Sequence, residues 1–166
     1  WLKVYLNAAR PNVATMSIYQ GAALVDLILA DDEADNLDVA EMSLVCFGFD
    51  EERIVRVDCG EDVIAKVEAA QEQRPGPPLV VILDLNMPPG MGGAEAAEAL
   101  RSRMDEFVRK PMLVCCAAGK VGDLKAQSFA SHFDDFCTKP FTPSVAQELN
   151  ASIERWCATY SFTLTF

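Results

Sequence analysis

Five short apolar runs rich in branched residues punctuate the chain, and each gives way to a stretch of helical character. The runs are Leu24 to Ala30, Arg53 to Val57, Leu79 to Asp84, Met112 to Ala117 and Asp134 to Thr138. This alternation predicts an α/β domain, a doubly wound sheet of five parallel strands covered by helices on both faces.

Between the strands, Leu37, Ala40, Leu44 and Val45 recur at helical spacing before Gly48, a C-terminal stop. The second helix carries Val63, Ile64 and Val67 and yields to the turn-rich Arg74-Pro75-Gly76-Pro77-Pro78. An alanine-rich third helix spans about Ala94 to Val108, and Pro111 opens the fourth strand. Thr142 is a candidate N-cap for a last helix with Pro143 at its first position and Val145, Leu149 and Ile153 along one face. The expected organisation is an extension or linker over residues 1–23, one domain over 24–158 and a tail over 159–166, where Ser161 to Phe166 alternates like an edge strand.

Composition narrows the function. The 166 residues are half apolar, enough for one buried core, and the formal net charge of -11 opposes direct nucleic-acid binding. No apolar run approaches the ~20 residues of a membrane helix, and with Trp1 at the start no intact signal peptide is read. Six cysteines without a CxxC pair, beside a single His, offer too few spaced ligands for structural zinc. Reduced, mostly buried thiols in a cytoplasmic or organelle-internal compartment are expected.

The chemistry is expected where the strands run out, because an open parallel sheet binds ligands beyond their carboxyl ends. The first strand ends in Asp31-Asp32, the third in Asp84, and the fifth is followed by Lys139-Pro140. Two carboxylates ~4 Å apart repel by roughly 4 kcal/mol at an effective dielectric of 20, so the cluster calls for a cation. Oxygen ligands with room for water suit Mg²⁺, and Lys139 adds a fixed positive charge. Metal, ammonium and a nucleophilic Asp84 together suit phosphoryl transfer onto a carboxylate. Taken singly, an acidic pair is usually a solvated loop, a strand-end Asp a turn residue and Lys-Pro a surface feature; their order at successive strand ends favours a site.

From Leu24 to Trp156 the chain resembles the receiver domain of response regulators. The resemblance rests on Leu27-Ile28-Leu29-Ala30-Asp31-Asp32 with Asn36, Phe47-Gly48-Phe49, Ile82-Leu83-Asp84-Leu85-Asn86-Met87-Pro88 with Met91 and Gly93, and Asp134-Asp135-Phe136-Cys137-Thr138-Lys139-Pro140-Phe141. It implies a flavodoxin-like (βα)5 receiver fold in which Asp84 accepts a phosphoryl group from a histidine kinase or histidine phosphotransfer protein. Asp32, Asp84 and the Asn86 carbonyl would ligate Mg²⁺, Asp31 would assist through water, and Lys139, often before a cis proline in this family, would pair with the phosphoryl group. A self-phosphorylating and autodephosphorylating switch is implied rather than a turnover enzyme, with a partner surface on the fourth helix, fifth strand and fifth helix.

Three departures accompany the resemblance. The hydroxyl usual at the end of the fourth strand is replaced by Cys116, counting from Pro111, or by Ala117, counting back from Lys139. A thiol is only a weak donor. The Met87-Pro88-Pro89-Gly90-Met91-Gly92-Gly93 loop is one residue longer than usual, with Gly92 where Asp is common, which predicts extra mobility. His132 and Phe133 stand where Gly-Ala is frequent.

Phe136 fills the place of the switch aromatic or simply packs in the core, and strand geometry sends Cys115 and Cys116 to opposite faces. Three functions compete. They are a phosphoacceptor switch, a receiver-derived adaptor or structural subunit with weakened switching, and an aspartyl-phosphate phosphatase. The last is disfavoured by Asn86 where a second acid would stand.

Overall fold

The computed structural model describes residues 25–72 and 76–159. The expected extension over 1–23 and the tail strand Ser161 to Phe166 lie outside the described residues, as does part of the turn at Arg74. Strands β1 (Asp26–Ala30), β2 (Ile54–Val57), β3 (Leu79–Leu83), β4 (Pro111–Ala117) and β5 (Asp135–Thr138) form one parallel sheet in the order β2-β1-β3-β4-β5. Helices α1 (Ala34–Phe47) and α5 (Pro143–Thr159) cover one face; α2 (Gly60–Ala70), α3 (Gly93–Ser102) and the short α4 (Val121–Lys125) cover the other. The doubly wound five-stranded expectation is met.

The central strands read as continuous apolar runs because both faces are buried. Every residue of β3 and β4 is buried, and alternate side chains feed two separate cores. Val80, Ile82, Met112, Val114 and Cys116 pack under α1 and α5; Val81, Leu83, Leu113, Cys115 and Ala117 pack under α2 and α3. Cys115 and Cys116 therefore do face opposite ways.

Gly48 ends α1 in a left-handed conformation at φ 123°, open to glycine without a Cβ penalty, and its N–H donates to Leu44 and Val45 carbonyls. Val45 lies on the exposed side, one step of helix rotation past the buried Leu44, and does not join the core. Thr142 Oγ1 accepts from Val145 N–H at 3.4 Å, and Leu149 and Ile153 are buried as the stripe predicts.

The third helix stops at Ser102, not near Val108. Turns after Arg101 and Arg103 replace the expected last helical residues, and Phe107 is buried beneath the Arg103 guanidinium. Arg53 belongs to a 3₁₀ turn, Glu51–Arg53, capped by the Asp50 carboxylate, so β2 starts one residue later than expected. The fourth helix is one turn, with Leu124 its only buried residue, and a 3₁₀ turn follows at Ser128–His132.

At the amino ends of the strands Asp26 joins two arginines. Its Oδ1 accepts from Arg53 at 2.9 Å and its Oδ2 from Arg109, whose side chain is 4% exposed. Removing the acid leaves a guanidinium buried without its counter-charge. Asp26→Ala is expected to cost about 3 kcal/mol, the lower end of what removing one partner of a buried ion pair costs, read as a shifted urea midpoint.

Candidate functional site

The switch in strand order between β1 and β3 opens a crevice at the carboxyl edge of the sheet. Pairing runs beyond the strands proper: Asp31 N–H donates to Val57 O, Asp84 N–H to Ala30 O at 2.9 Å, and Lys139 N–H to Ala117 O at 3.1 Å. Those three backbone bonds carry Asp31, Asp84 and Lys139 to the same edge.

Lys139 Nζ lies 2.6 Å from Asp31 Oδ2 and 3.1 Å from Asp84 Oδ1. Asp31 is buried, and its Oδ1 accepts from Glu33 N–H at 3.1 Å and Asn36 Nδ2 at 3.0 Å. Asp32 is exposed, yet it can offer a carboxylate oxygen with Asp31 and Asp84 such that the three lie within 4.8 Å of one another. Asn86 lies two residues beyond Asp84 on the exposed loop. The predicted carboxylates and the lysine are thus brought together.

Charge balance at this edge is incomplete. Burial raises the Asp84 pKa above its ordinary value, helped by Asp31; the Lys139 bond and charge and a Leu85 backbone bond oppose the rise. Burial alone would lower the Lys139 pKa, but hydrogen bonds and attraction from Asp31 and Asp84 leave it raised. Three clustered carboxylates, two of them paired with one ammonium, form an oxygen-only donor set with excess negative charge, which fits Mg²⁺.

The sheet register shows which residue of β4 lies beside Asp84. Leu83 pairs with Cys115, so Cys116 is next in line with Asp84; it lies on the α1 and α5 face and lines a cavity of about 70 Å³ with Asp31, Asn36 and Lys139. Ala117 belongs to the opposite core. Phe136 pairs with Cys115, half-buried against Phe133 at 5.8 Å between ring centroids, with Lys125 Nζ 5.8 Å above its ring.

The loop after Asp84, expected to be mobile, is fastened instead. Gly60 N–H donates to Met91 O at 2.8 Å, Met91 N–H to Glu61 Oε2 at 3.0 Å and Gly93 N–H to Leu85 O at 3.0 Å. A Cβ on Gly93 would lie 1.9 Å from the Asp84 carbonyl oxygen, so the close return of the chain beside Asp84 requires glycine. Lys139-Pro140 is cis, as is Pro88-Pro89. Sequence reasoning passed over Glu61 as the loop's anchor, Ser43, whose hydroxyl donates to Phe141 O at 2.9 Å behind the lysine, and Cys137 beside Cys116. Glu61 offered only its place in the first turn of α2, a position common to many acids.

No family model matches the chain, and no curated protein matches it. Solved structures do. A CheY-like response regulator receiver domain protein from Methanospirillum hungatei JF-1 aligns over 81% of this chain and 98% of its own, at 24% identity and TM-score 0.60. A two component response regulator from Cytophaga hutchinsonii gives 79% and 98%, at 19% identity and TM-score 0.65. The receiver domain of NtrX from Brucella abortus gives 78% and 98%, at 17% identity and TM-score 0.59. The fold of this chain is that of receiver domains.

The raised Asp84 pKa has a consequence for stability. Folding favours the protonated acid, so this stabilising contribution is present below the unfolded pKa and is lost as pH rises through the folded value. Asp84→Asn, with Asp31 still holding Lys139, is expected to shift the metal-free urea midpoint upward at pH 7 and to lose that advantage below about pH 4. A lower midpoint at pH 7 would mean that the Lys139 bond outweighs the cost of burial.

Proposed function

We propose that the chain is a phosphoacceptor receiver of a two-component phosphorelay, and that Asp84 takes its phosphoryl group from a phosphohistidine on a histidine kinase or histidine phosphotransfer protein. The observation that carries this reading is the bonding of Lys139 to both Asp31 and Asp84 within a three-carboxylate cluster at the switch point. The receiver fold supports it. A domain over residues 24–158 is the proposed switching unit.

In the proposed reaction an Asp84 carboxylate oxygen attacks phosphorus as the phosphorus–nitrogen bond of the donor breaks and its imidazole leaves. Asp31, Asp32, Asp84 and the Asn86 carbonyl would hold Mg²⁺, which supplies neutralisation of charge on the transferred oxygens. Lys139 keeps one contact to Asp31 while its ammonium is drawn from Asp84 toward the incoming phosphoryl oxygens. Asn36 and the Glu33 N–H hold Asp31 in place throughout. Later hydrolysis of the acyl phosphate resets the switch, so the chain acts on itself rather than turning over a substrate.

The proposed partner surface joins α4, β5 and α5, although α4 contributes only one turn. The acidic balance disfavours a nucleic-acid partner, and no helix among the described residues is long and apolar enough to cross a membrane. A reducing compartment, cytoplasmic or organelle-internal, is part of the proposal and rests on the cysteine pattern of the sequence. A receiver-derived adaptor is the second reading; Cys116 in place of a hydroxyl and the curtailed α4 favour it.

Incubation with acetyl phosphate and Mg²⁺ followed by intact mass separates the two: one phosphoryl adduct is expected in wild type and none in Asp84→Asn. An unmodified wild type would favour the adaptor. Mg²⁺ is expected to raise the melting temperature through binding to the native state, and Asp32→Ala to abolish that rise. A melting temperature indifferent to millimolar Mg²⁺ would remove the metal from the proposal.

For the response, Cys116→Thr is expected to enlarge the change in amide exchange at α4 and β5 on binding beryllofluoride, because the hydroxyl adds an interaction found only in the switched state. Equal changes in both proteins would show that the thiol already suffices.

A further inference from the structure

Cys116 and Cys137 are register partners on the adjacent parallel strands β4 and β5 and belong to the same core under α1 and α5. Neighbouring strands lie about 4.8 Å apart, inside the roughly 4.4–6.8 Å between Cα atoms that a disulfide spans, and side chains of register partners rise on the same face. Both residues are buried, and both are free thiols. Cys115, in the opposite core, cannot compete.

Cys116 also lines the cavity of about 70 Å³ that it shares with Asp31, Asn36 and Lys139. Water in the liquid occupies about 30 Å³ per molecule, so the cavity has room for a molecule the size of hydrogen peroxide beside Cys116. Cys137 does not line this cavity.

We propose that Cys116 and Cys137 form a redox-sensitive dithiol, with Cys116 the sulfur attacked by a small hydroperoxide and Cys137 the resolving thiol. The Cys116 sulfur attacks a peroxide oxygen, the oxygen–oxygen bond breaks, and water leaves after taking up a proton, giving a sulfenic acid. The Cys137 sulfur then attacks Cys116, the sulfur–oxygen bond breaks and a second water leaves, closing the disulfide. Two thiols are oxidised by two electrons and one hydrogen peroxide is reduced to two waters.

The bridge would tie β4 to β5 two residues before Lys139 and remove the thiol in line with Asp84. Its effect on phosphoryl uptake rests on the function proposed for Asp84; its formation does not.

The test treats the full chain with hydrogen peroxide under native conditions, stops the reaction with catalase, then denatures, alkylates and maps the peptides, with fragmentation to distinguish Cys115 from Cys116. Alkylatable Cys116 and Cys137 are expected to disappear one for one, to reappear in a single cross-linked species and to return on treatment with dithiothreitol. In Cys137→Ser the bridge should be lost and a dimedone adduct should collect on Cys116. The proposal is overturned if both thiols stay alkylatable while the exposed Cys46 oxidises, if Cys116 is consumed without Cys137, or if either pairs with another cysteine such as Cys157.

Discussion

The ammonium of Lys139 stands between two carboxylates, and the arrangement of the sheet's carboxyl edge depends on it. Two carboxylates ~4 Å apart cost roughly 4 kcal/mol at an effective dielectric of 20, and Asp32 beside them adds to that. Lys139 contacts at 2.6 and 3.1 Å return part of this cost, but one positive charge does not balance three negative ones. Asp84 also bears the cost of burial, which raises its pKa despite the lysine. A divalent cation would supply the positive charge that this oxygen donor set lacks.

The fold can hold this repulsion because the charged edge is attached to a sheet whose central strands are buried on both faces. Backbone bonds from Asp31, Asp84 and Lys139 to neighbouring strands fix where the carboxylates and ammonium start, leaving side-chain torsions as the main freedom. The opposite edge is closed by Asp26 between Arg53 and Arg109. A second clamp stands where His132 and Phe133 depart from the usual Gly-Ala. Arg101 donates to His132 O and pairs with Asp134, while Asp134 Oδ2 accepts from Leu113 N–H at 2.8 Å. The turn before β5 is thereby tied to α3 and β4, and Phe133 is buried in the same core as Leu113.

Strand positions and the identity of the charged cluster were legible because both follow from short-range patterns. Branched apolar runs announce strands, and the acids at their ends can be read in order. Helix ends were less legible: nothing local in Arg103 to Val108 says that the helix stops at Ser102, and Phe107 would fall on the buried face of a continued helix as well. The loop after Asp84 was misread for a related reason. Its glycines suggested freedom, whereas Gly93 is needed for close approach to the Asp84 carbonyl, and the loop's anchors at Gly60 and Glu61 come from a different βα unit. Which of Cys116 and Ala117 lies beside Asp84 needed the register, since counting from the two flanks left both open.

That register also constrains how a change at Asp84 could reach the rest of the molecule. Cys116 lies on the α1 and α5 face with Asp31 and Lys139 around the same cavity, whereas Phe136 pairs with Cys115 and packs toward Phe133 on the other face. Coupling between the two would pass through the backbones of β4 and β5 or around their carboxyl ends, where Lys139 N–H holds Ala117 O. A hydroxyl beside Asp84 would pull on β4 through a bond made only to the phosphoryl group; a thiol donates weakly and gives less difference between the two states. With α4 reduced to one turn and held to the core mainly by Leu124, little packing has to be broken for that segment to move. A weak pull acting on a lightly held segment would still produce a response, so under the proposed function the Cys116 contribution, rather than the rigidity of α4, would set the size of that response.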